Sequence, residues 1–275
     1  MQKINELSDL PLEILAMITG YLEPVERAYL RGMSRKFRAV DDIEVLYHSQ
    51  ILVKYTPSSL MLCANEKKFF YDHHDKIDPF DRFTQAFRHP KLQLGALILE
   101  LSSQVPLEKR EKLLSCLPPS LHVKIVFIDA SPDETFKVVS SLKQEALERI
   151  AVKGCPVKLA NVFETEQFKQ AKHTNVACEK VRTKDFPNFF NLRNFHIQVT
   201  SLSLNQFRNL RDNLAKNPAF ESCRLKVTIF RRSEFAAGLG LEHDQDNIIQ
   251  RHPIPGSIGY LETEIKNDGL FIKRK

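Results

Sequence analysis

The stretch from Leu7 to Arg38, LSDLPLEILAMITGYLEPVERAYLRGMSRKFR, sets two prolines inside a dense apolar pattern. Ser8 and Asp9 are helix-cap residues, and Pro11 suits a first helical turn because the N–H it lacks would be unpaired there. Glu13 puts a negative charge near the positive end of the helix dipole. Ile14, Leu15, Ile18 and Leu22 recur at spacings that share one helical face. Gly20 weakens the end of that helix. Glu23-Pro24 then starts a second, with Glu26 in its first turn and Val25, Ala28, Tyr29 and Met33 at helical spacing. Ser34 caps a third, short helix carrying Phe37 and Val40 before Asp41-Asp42. Three short helices of this size bury too little surface to be comfortably stable alone. Their apolar side chains exceed what the unit can hide internally, so part of the stripe is expected to meet another protein.

Taken whole, the pattern of Leu7, Leu10, Pro11, Glu13, Ile14, Ile18, Leu22, Arg27, Leu30, Ser34, Phe37 and Arg38 resembles the F-box. The resemblance implies docking onto the Skp-class adaptor of a cullin–RING ubiquitin ligase. It also implies that Leu10, Pro11, Ile14, Ile18 and Leu22 make the adaptor contact, with Leu30 and Phe37 as further members. The alternative is a plain helical cap on the next domain, which accounts for the helices but not for the full motif.

The totals set bounds on the rest. A chain of 275 residues with 43% hydrophobic and 27% charged composition can bury a real core and is not a disordered polymer. The net charge of +6 tolerates an acidic partner without demanding one, and Lys and Arg are spread along the chain. Five cysteines, at 63, 116, 155, 178 and 223, are too far apart for a metal knuckle and read as reduced thiols. MQKINELSD lacks the apolar core of a signal peptide, and no run approaches a membrane span. The expected location is the cytoplasm, the nucleus or both, with the closing KRK read as a solvated tail.

The domain reading places the F-box at 1–45, a helical linker region at 46–95, an α/β repeat domain at 96–235 and a C-terminal cap or tail at 236–275. In the repeat domain, short apolar strands begin near Leu97, Val123, Ile150, Val176, Ile197 and Leu225. Helix-like pieces separate them: LEKREKLLSCL, SPDETFKVVSSLKQEAL, TEQFKQAK and SLNQFRNLRDNLAKN. Pro132 with Asp133 and Glu134 marks a helix start, and Ser203 and Asn217-Pro218 bracket the last helix. A strand–helix unit repeating at this period predicts an α/β leucine-rich-repeat-like solenoid behind an all-α N-terminal unit. A doubly wound sheet is the alternative, and only nine glycines in the chain argue against it.

Strand alternation sorts the two faces. Leu97, Leu99, Leu101, Val123, Ile125, Phe127, Ile150, Val152, Ile197, Val199, Leu225, Val227 and Ile229 are assigned to the core. Glu100, Lys124, Lys153, Asn175, His196, Gln198, Lys226, Thr228 and Phe230 fall on the open face. Of these, Lys124, Lys153, His196, Gln198, Lys226 and Phe230 form the candidate partner surface; an ordinary solvated face is the alternative. EQFKQAK at 166–172, FPNFF, NFHIQV and SLNQFRNLRDNL are together similar to the FTH domain, which follows the F-box in a class of F-box proteins expanded in nematodes. That resemblance covers roughly residues 95–230 and departs from the family pattern at Phe168, where Trp is expected.

No catalytic constellation emerges. His74, Asp78 and Asp81 beside YDHHD would share a helical face, but a solvated face explains them better than a metal site. GLGLEHDQD lacks the third glycine of a phosphate loop and the closing glutamate of a calcium loop. GxSxG, HExxH, GxxxxGK[ST] and CxxC do not occur. The expected protein is therefore a non-catalytic substrate receptor of a Skp–cullin–F-box ligase, without metal or cofactor, that binds an unidentified protein target. Three rivals remain open: a scaffold that binds the adaptor without directing ubiquitination, a basic nucleic-acid-binding solenoid, and an enzyme built on His73-His74-Asp75.

Overall fold

The structure, a computed structural model, describes residues 10–22, 24–42, 46–64, 67–72, 80, 83–84, 87, 89–153, 159–177, 181–241 and 248–275. The chain divides into two compact units, one within Met1–Val126 with Ser141–Ala146, the other within Phe127–Ser140 with Leu147–Lys275.

The first unit opens with the three expected helices, α1 (Leu12–Tyr21), α2 (Pro24–Met33) and α3 (Arg35–Asp41). Ser8 and Asp9 lie outside the described residues. Pro11 stands at the N-cap, with extended backbone (φ −55°, ψ 150°), rather than inside the first turn. Its carbonyl accepts the N–H groups of Ile14 (3.1 Å) and Leu15 (3.0 Å). Leu15, Phe37 and Val40 fill the interior, and Leu10, Ala16, Ile18 and Leu30 pack against them.

The described residues of 46–72 correct the helical reading of that part of 46–95. They form β1 (Leu46–Tyr55), β2 (Ser59–Ala64) and β3 (Lys67–Asp72). Leu46 and His48, then Ile51, Val53 and Tyr55, are buried at every second position, and a short apolar run fits both periodicities until packing selects one. β1 pairs antiparallel with β2 and parallel with β4 (Leu92–Leu101), and β2 pairs antiparallel with β3. At Gly95 of β4 a side chain would meet the Ser49 carbonyl at 2.5 Å and the Tyr47 hydroxyl at 2.7 Å, so glycine is what lets β1 and β4 close there.

After α4 (Leu107–Ser115) comes β5 (His122–Asp129), whose first five residues belong to this unit. The core assignment holds at Val123 and is corrected at Ile125 and Phe127. Val123, Val126 and Ile128 are buried, while Lys124 and Ile125 are both exposed, Ile125 by 39%. The alternation slips by one residue, as it does at a β-bulge.

α5 (Pro132–Ser141) starts where expected, with Ser131 and Glu134 forming reciprocal cap bonds. The second unit continues through β6 (Arg149–Lys153), α6 (Ala160–Phe163), α7 (Glu166–Gln170), β7 (His173–Ala177), a 3-10 turn over Thr183–Phe189 and β8 (Asn194–Ser201). There follow α8 (Leu204–Lys216), β9 (Ser222–Ile229), α9 (Arg232–Gly238), β10 (Ile248–Pro253), β11 (Tyr260–Lys266) and β12 (Gly269–Arg274). The strand order is β6-β7-β8-β9-β12-β11-β10. The first four run parallel, and the last three join antiparallel, so the described residues from Ile248 on add a three-stranded cap to β9. α8 is bounded as the sequence predicts, by a Ser203/Gln206 capping box and by Asn217 at the C-cap.

One local geometry recurs at the entry to these strands. The Glu148 carbonyl accepts the N–H groups of Lys172 and His173, the Lys172 carbonyl those of Arg193 and Asn194, and the Arg193 carbonyl those of Glu221 and Ser222. Behind the strands the core is aromatic. Phe163, Phe168, Phe189, Phe195 and Phe220 form a chain of rings with centroids 5.0 to 6.2 Å apart. Ile229 and Phe230 correct the face assignment at the end of β9. Ile229 is 62% exposed, while Phe230 leaves the open face to stack on Phe235 at 5.3 Å.

Candidate functional site

The helical unit hides one side of α1 and leaves the other open. Leu15 and Thr19 point inward, and the Thr19 hydroxyl donates to the Leu15 carbonyl at 2.7 Å. Ile14, Met17 and Tyr21, three and seven residues along the same face, are exposed, Met17 by 58% and Tyr21 by 87%. Leu12 on α1 and Tyr29 and Met33 on α2 are exposed as well.

The sequence-derived contact set divides against this geometry. Pro11 and Ile14 face solvent, and Leu10, Ile18, Leu22 and Leu30 are half-buried. Phe37, at 4% exposure, is corrected from a contact residue to part of the unit's own core. Leu7 lies outside the described residues. Leu12, Met17 and Tyr21 were not singled out from the sequence, although the spacing of Met17 and Tyr21 from Ile14 was the available signal.

Arg27 of the motif and the charges gathered around Asp41 close the unit electrostatically. Arg27 donates from Nε to the Leu22 carbonyl (3.1 Å) and from Nη2 to that of Gly20 (3.4 Å), placing a cation at the negative end of α1. Buried Asp41 draws in Arg31 at 3.4 Å and Arg27 at 4.0 Å, and Arg31 also pairs with Asp42. His89 comes to the same carboxylate at 3.4 Å; its Nε2–H donates to the Asp41 backbone carbonyl at 2.8 Å, while its Nδ1 accepts from the Lys91 N–H.

His48 on β1 lies buried near this charge, and its pKa is lowered to about 4, first by burial and then by His89 and Arg27. In the unfolded chain the same group titrates near 6.5. Between those values the unfolded state binds more protons, so stability is lost as pH falls from about 6.5 through about 4, by about 3 kcal/mol in all. Thermal melts across that window are expected to show a falling midpoint in the wild type and a flatter profile in His48→Leu. Parallel profiles would contradict this assignment.

On the second unit's sheet, Lys153, His196, Gln198 and Lys226 do share the side opposite buried Val152, Ile197, Val199, Leu225 and Val227. Cross-strand register aligns Asn175, His196 and Arg224 in one row and Gln198 with Lys226 in the next. Lys153 reaches Asp129 at 3.0 Å, and Gln198 donates to the Thr228 hydroxyl at 3.4 Å. Burial, then Arg224 and Lys226, lowers the His196 pKa, which leaves a neutral ring in a basic row. Lys124 is exposed in the first unit, and Phe230 is absent from this face for the reason given above.

Cys63 and Cys223 are buried free thiols and Cys116 is a half-buried one; Cys155 and Cys178 lie outside the described residues. Burial pushes the Cys223 thiol pKa up, as suits a packing residue. The 73–79 segment, Asp81 and 242–247 also lie outside the described residues, so His73-His74-Asp75, Asp78 and most of GLGLEHDQD receive no structural account. Among the described residues, no group of three or more His, Cys, Asp or Glu is placed to hold a metal, and no helix is long and apolar enough to cross a membrane.

Residues 7–46 match the F-box domain family, over the helical unit just described. The chain thus carries an F-box domain. Residues 109–242 match the FTH domain, so an FTH domain lies C-terminal to the F-box domain in the same chain. Behind the F-box stands a mixed α/β region with a large open sheet. No curated protein matches the chain.

Proposed function

We propose that this chain is the substrate-recognition subunit of a Skp–cullin–F-box ubiquitin ligase. F-box domains typically bind Skp-class adaptors of cullin–RING ligases. The observation that carries the reading is the outward apolar stripe of Ile14, Met17 and Tyr21, on a unit whose interior Leu15, Phe37 and Val40 already fill. An exposed stripe of this kind has no role in the unit's own packing and suits a partner. Burying each such side chain contributes about 1.5–3 kcal/mol, and several together offset the cost of association. The docking set proposed is therefore Pro11, Ile14, Met17 and Tyr21, with half-buried Leu10, Ile18, Leu22 and Leu30 supporting them from beneath.

We read β6 to β9 as leucine-rich-repeat-like. Three successive carbonyls, at 148, 172 and 193, each accept paired N–H groups from the next strand entry, 24, 21 and 28 residues on. Lys153, His196, Gln198 and Lys226 would then line the surface that holds a protein target. Such a subunit makes no bond itself. It raises the local concentration of target lysines beside a charged conjugating enzyme, in the cytoplasm or nucleus.

Co-expression with a Skp-class adaptor tests the docking reading. Wild type is expected to co-purify as a one-to-one complex. Ile14→Glu/Met17→Glu is expected to lose the adaptor while keeping its circular dichroism, because both side chains already face water and their charge matters only on desolvation. Retention of the adaptor by a folded double variant would refute the assigned face.

A further inference from the structure

In the second unit a cavity of about 540 Å³ opens where the chain enters β7, β8 and β9. Four cations, Lys169, Lys172, Arg193 and Arg274, line it against one carboxylate, Glu221, with Phe220 in the wall. Backbone bonds hold these positions together. The Arg193 N–H donates to the Lys172 carbonyl (2.9 Å), the Glu221 N–H to that of Arg193 (2.8 Å) and the Arg274 N–H to that of Glu221 (2.9 Å). The Arg274 guanidinium is fixed by the carbonyls at the end of α8, at 2.9 Å from Ala215 and 2.7 Å from Asn217, so its charge is oriented without a carboxylate. Lys172 is exposed and has no ion-pair partner among the described residues. Lys169 pairs with Glu166 at the surface, a contact that exchanges readily with solvent.

The one carboxylate is already engaged. Glu221 pairs with Arg193 and accepts from Asn194 Nδ2 at 2.8 Å, and these bonds hold its carboxyl below the ordinary range. The local field is positive at the neighbouring ring too. Burial and then Arg149 and Arg193 lower the His173 pKa, against the opposing pull of Glu221 and Glu148. The same Asn194 amide lies 3.2 Å from His173 Nδ1, and the Ser222 hydroxyl donates to Asn194 Oδ1 at 2.6 Å. This network joins the pocket to the row Arg149, His173, Asn194, Ser222 and Lys273 on the open sheet face.

We propose that this pocket seats the anionic side chain, carboxylate or phosphoryl, of an acidic segment of the partner protein, whose backbone crosses the adjoining sheet face. The inference deepens the partner-surface reading above and rests on it. A peptide suits the face better than a nucleic acid does. Glu262, Glu264 and Asp268 pair with Arg251, Lys266 and Arg224, so the sheet beside the pocket offers no continuous run of unpaired cations to a phosphate backbone, whereas a peptide presents its acids one at a time. Phe271 is not a free stacking platform, because Lys266 and Lys273 lie over its ring at 6.0 and 4.6 Å.

The test uses the full chain and fluorescence anisotropy with four labelled probes: a short Glu-rich peptide, the same peptide with one phosphoserine, its Gln-substituted analogue, and a single-stranded oligo-dT. Adaptor capture is measured on the same preparation, so failure at the F-box is read separately from failure at the pocket. The Glu-rich peptide is expected to bind, the Gln analogue not to, and Lys169→Glu/Lys172→Glu to weaken binding about tenfold or more while leaving circular dichroism and adaptor capture unchanged. Both lysines are exposed, so the variant is expected to fold. Tighter binding of the phosphorylated peptide assigns the pocket to a phosphoryl group, and equal binding assigns it to a carboxylate. Equal binding of the Gln analogue, an unaffected variant or no binding by either acidic peptide would overturn the proposal. Displacement of the peptide by oligo-dT with steep salt dependence would replace it with the nucleic-acid reading.

Discussion

Gly269→Ala is expected to destabilise the second unit by about 3–5 kcal/mol, through strain at a special backbone conformation and a steric overlap that relaxation only partly removes. Gly269 has φ of +147°, which L side chains rarely adopt. A β-carbon there would fall on the Leu225 carbonyl oxygen of the neighbouring strand. Gly269 is paired with Lys226, and the preceding residue, Asp268, accepts the Val227 N–H at 2.8 Å, so backbone on both sides is pinned. Relief requires β12 to lift from β9. That would strip cover from Leu225 and Ile272, both buried, and loosen β11 and β10, which reach the sheet only through β12. Urea unfolding followed by circular dichroism measures the loss; a variant within about 1 kcal/mol of wild type would show that β12 is not held as described.

Phe168→Ala is expected to cost a similar amount, about 3–5 kcal/mol, for a different reason. Phe168 is fully buried, with its ring 5.0 Å from Phe163 and 5.6 Å from Phe189. Its backbone N–H is also the group that the Thr165 cap accepts, which locks the short α7 over the core. Truncation leaves a cavity bounded by rings too large to collapse into it. The same denaturation experiment reads the result, and a ΔΔG below about 1 kcal/mol would mean that the ring chain repacks freely. Phe168 is also where the chain departs from the Trp expected by resemblance.

Much of the fold was readable because the signals were local. Each predicted strand from Leu97 to Leu225 overlaps an observed one, and Ser203 with Asn217 marks both ends of α8, because cap chemistry and apolar runs need no knowledge of tertiary contacts. β1 is not legible because LYHSQILVKY carries apolar residues compatible with either period, and its partners β2 and β4 select the strand. The slip at Lys124–Ile125 and the turn that carries Phe230 onto Phe235 depend on packing that alternation alone does not encode.

The site was legible in kind more than in detail. A recurring motif does not distinguish residues kept for the unit's own core, such as Phe37, from residues that face a partner, such as Ile14. Met17 and Tyr21 stand outside the motif, so the motif does not mark them. The basic pocket was invisible for another reason: Lys172, Arg193 and Arg274 are far apart in sequence and meet only through the strand ladder.

The most direct test of the central claim, that the outward face of the F-box helices is the docking surface, is amide hydrogen exchange on the full chain with and without a Skp-class adaptor. Slowed exchange over Leu12–Tyr21 and Pro24–Met33 is predicted, with Leu147–Lys275 unchanged. Adaptor binding that leaves α1 and α2 at their free-state rates would contradict the account.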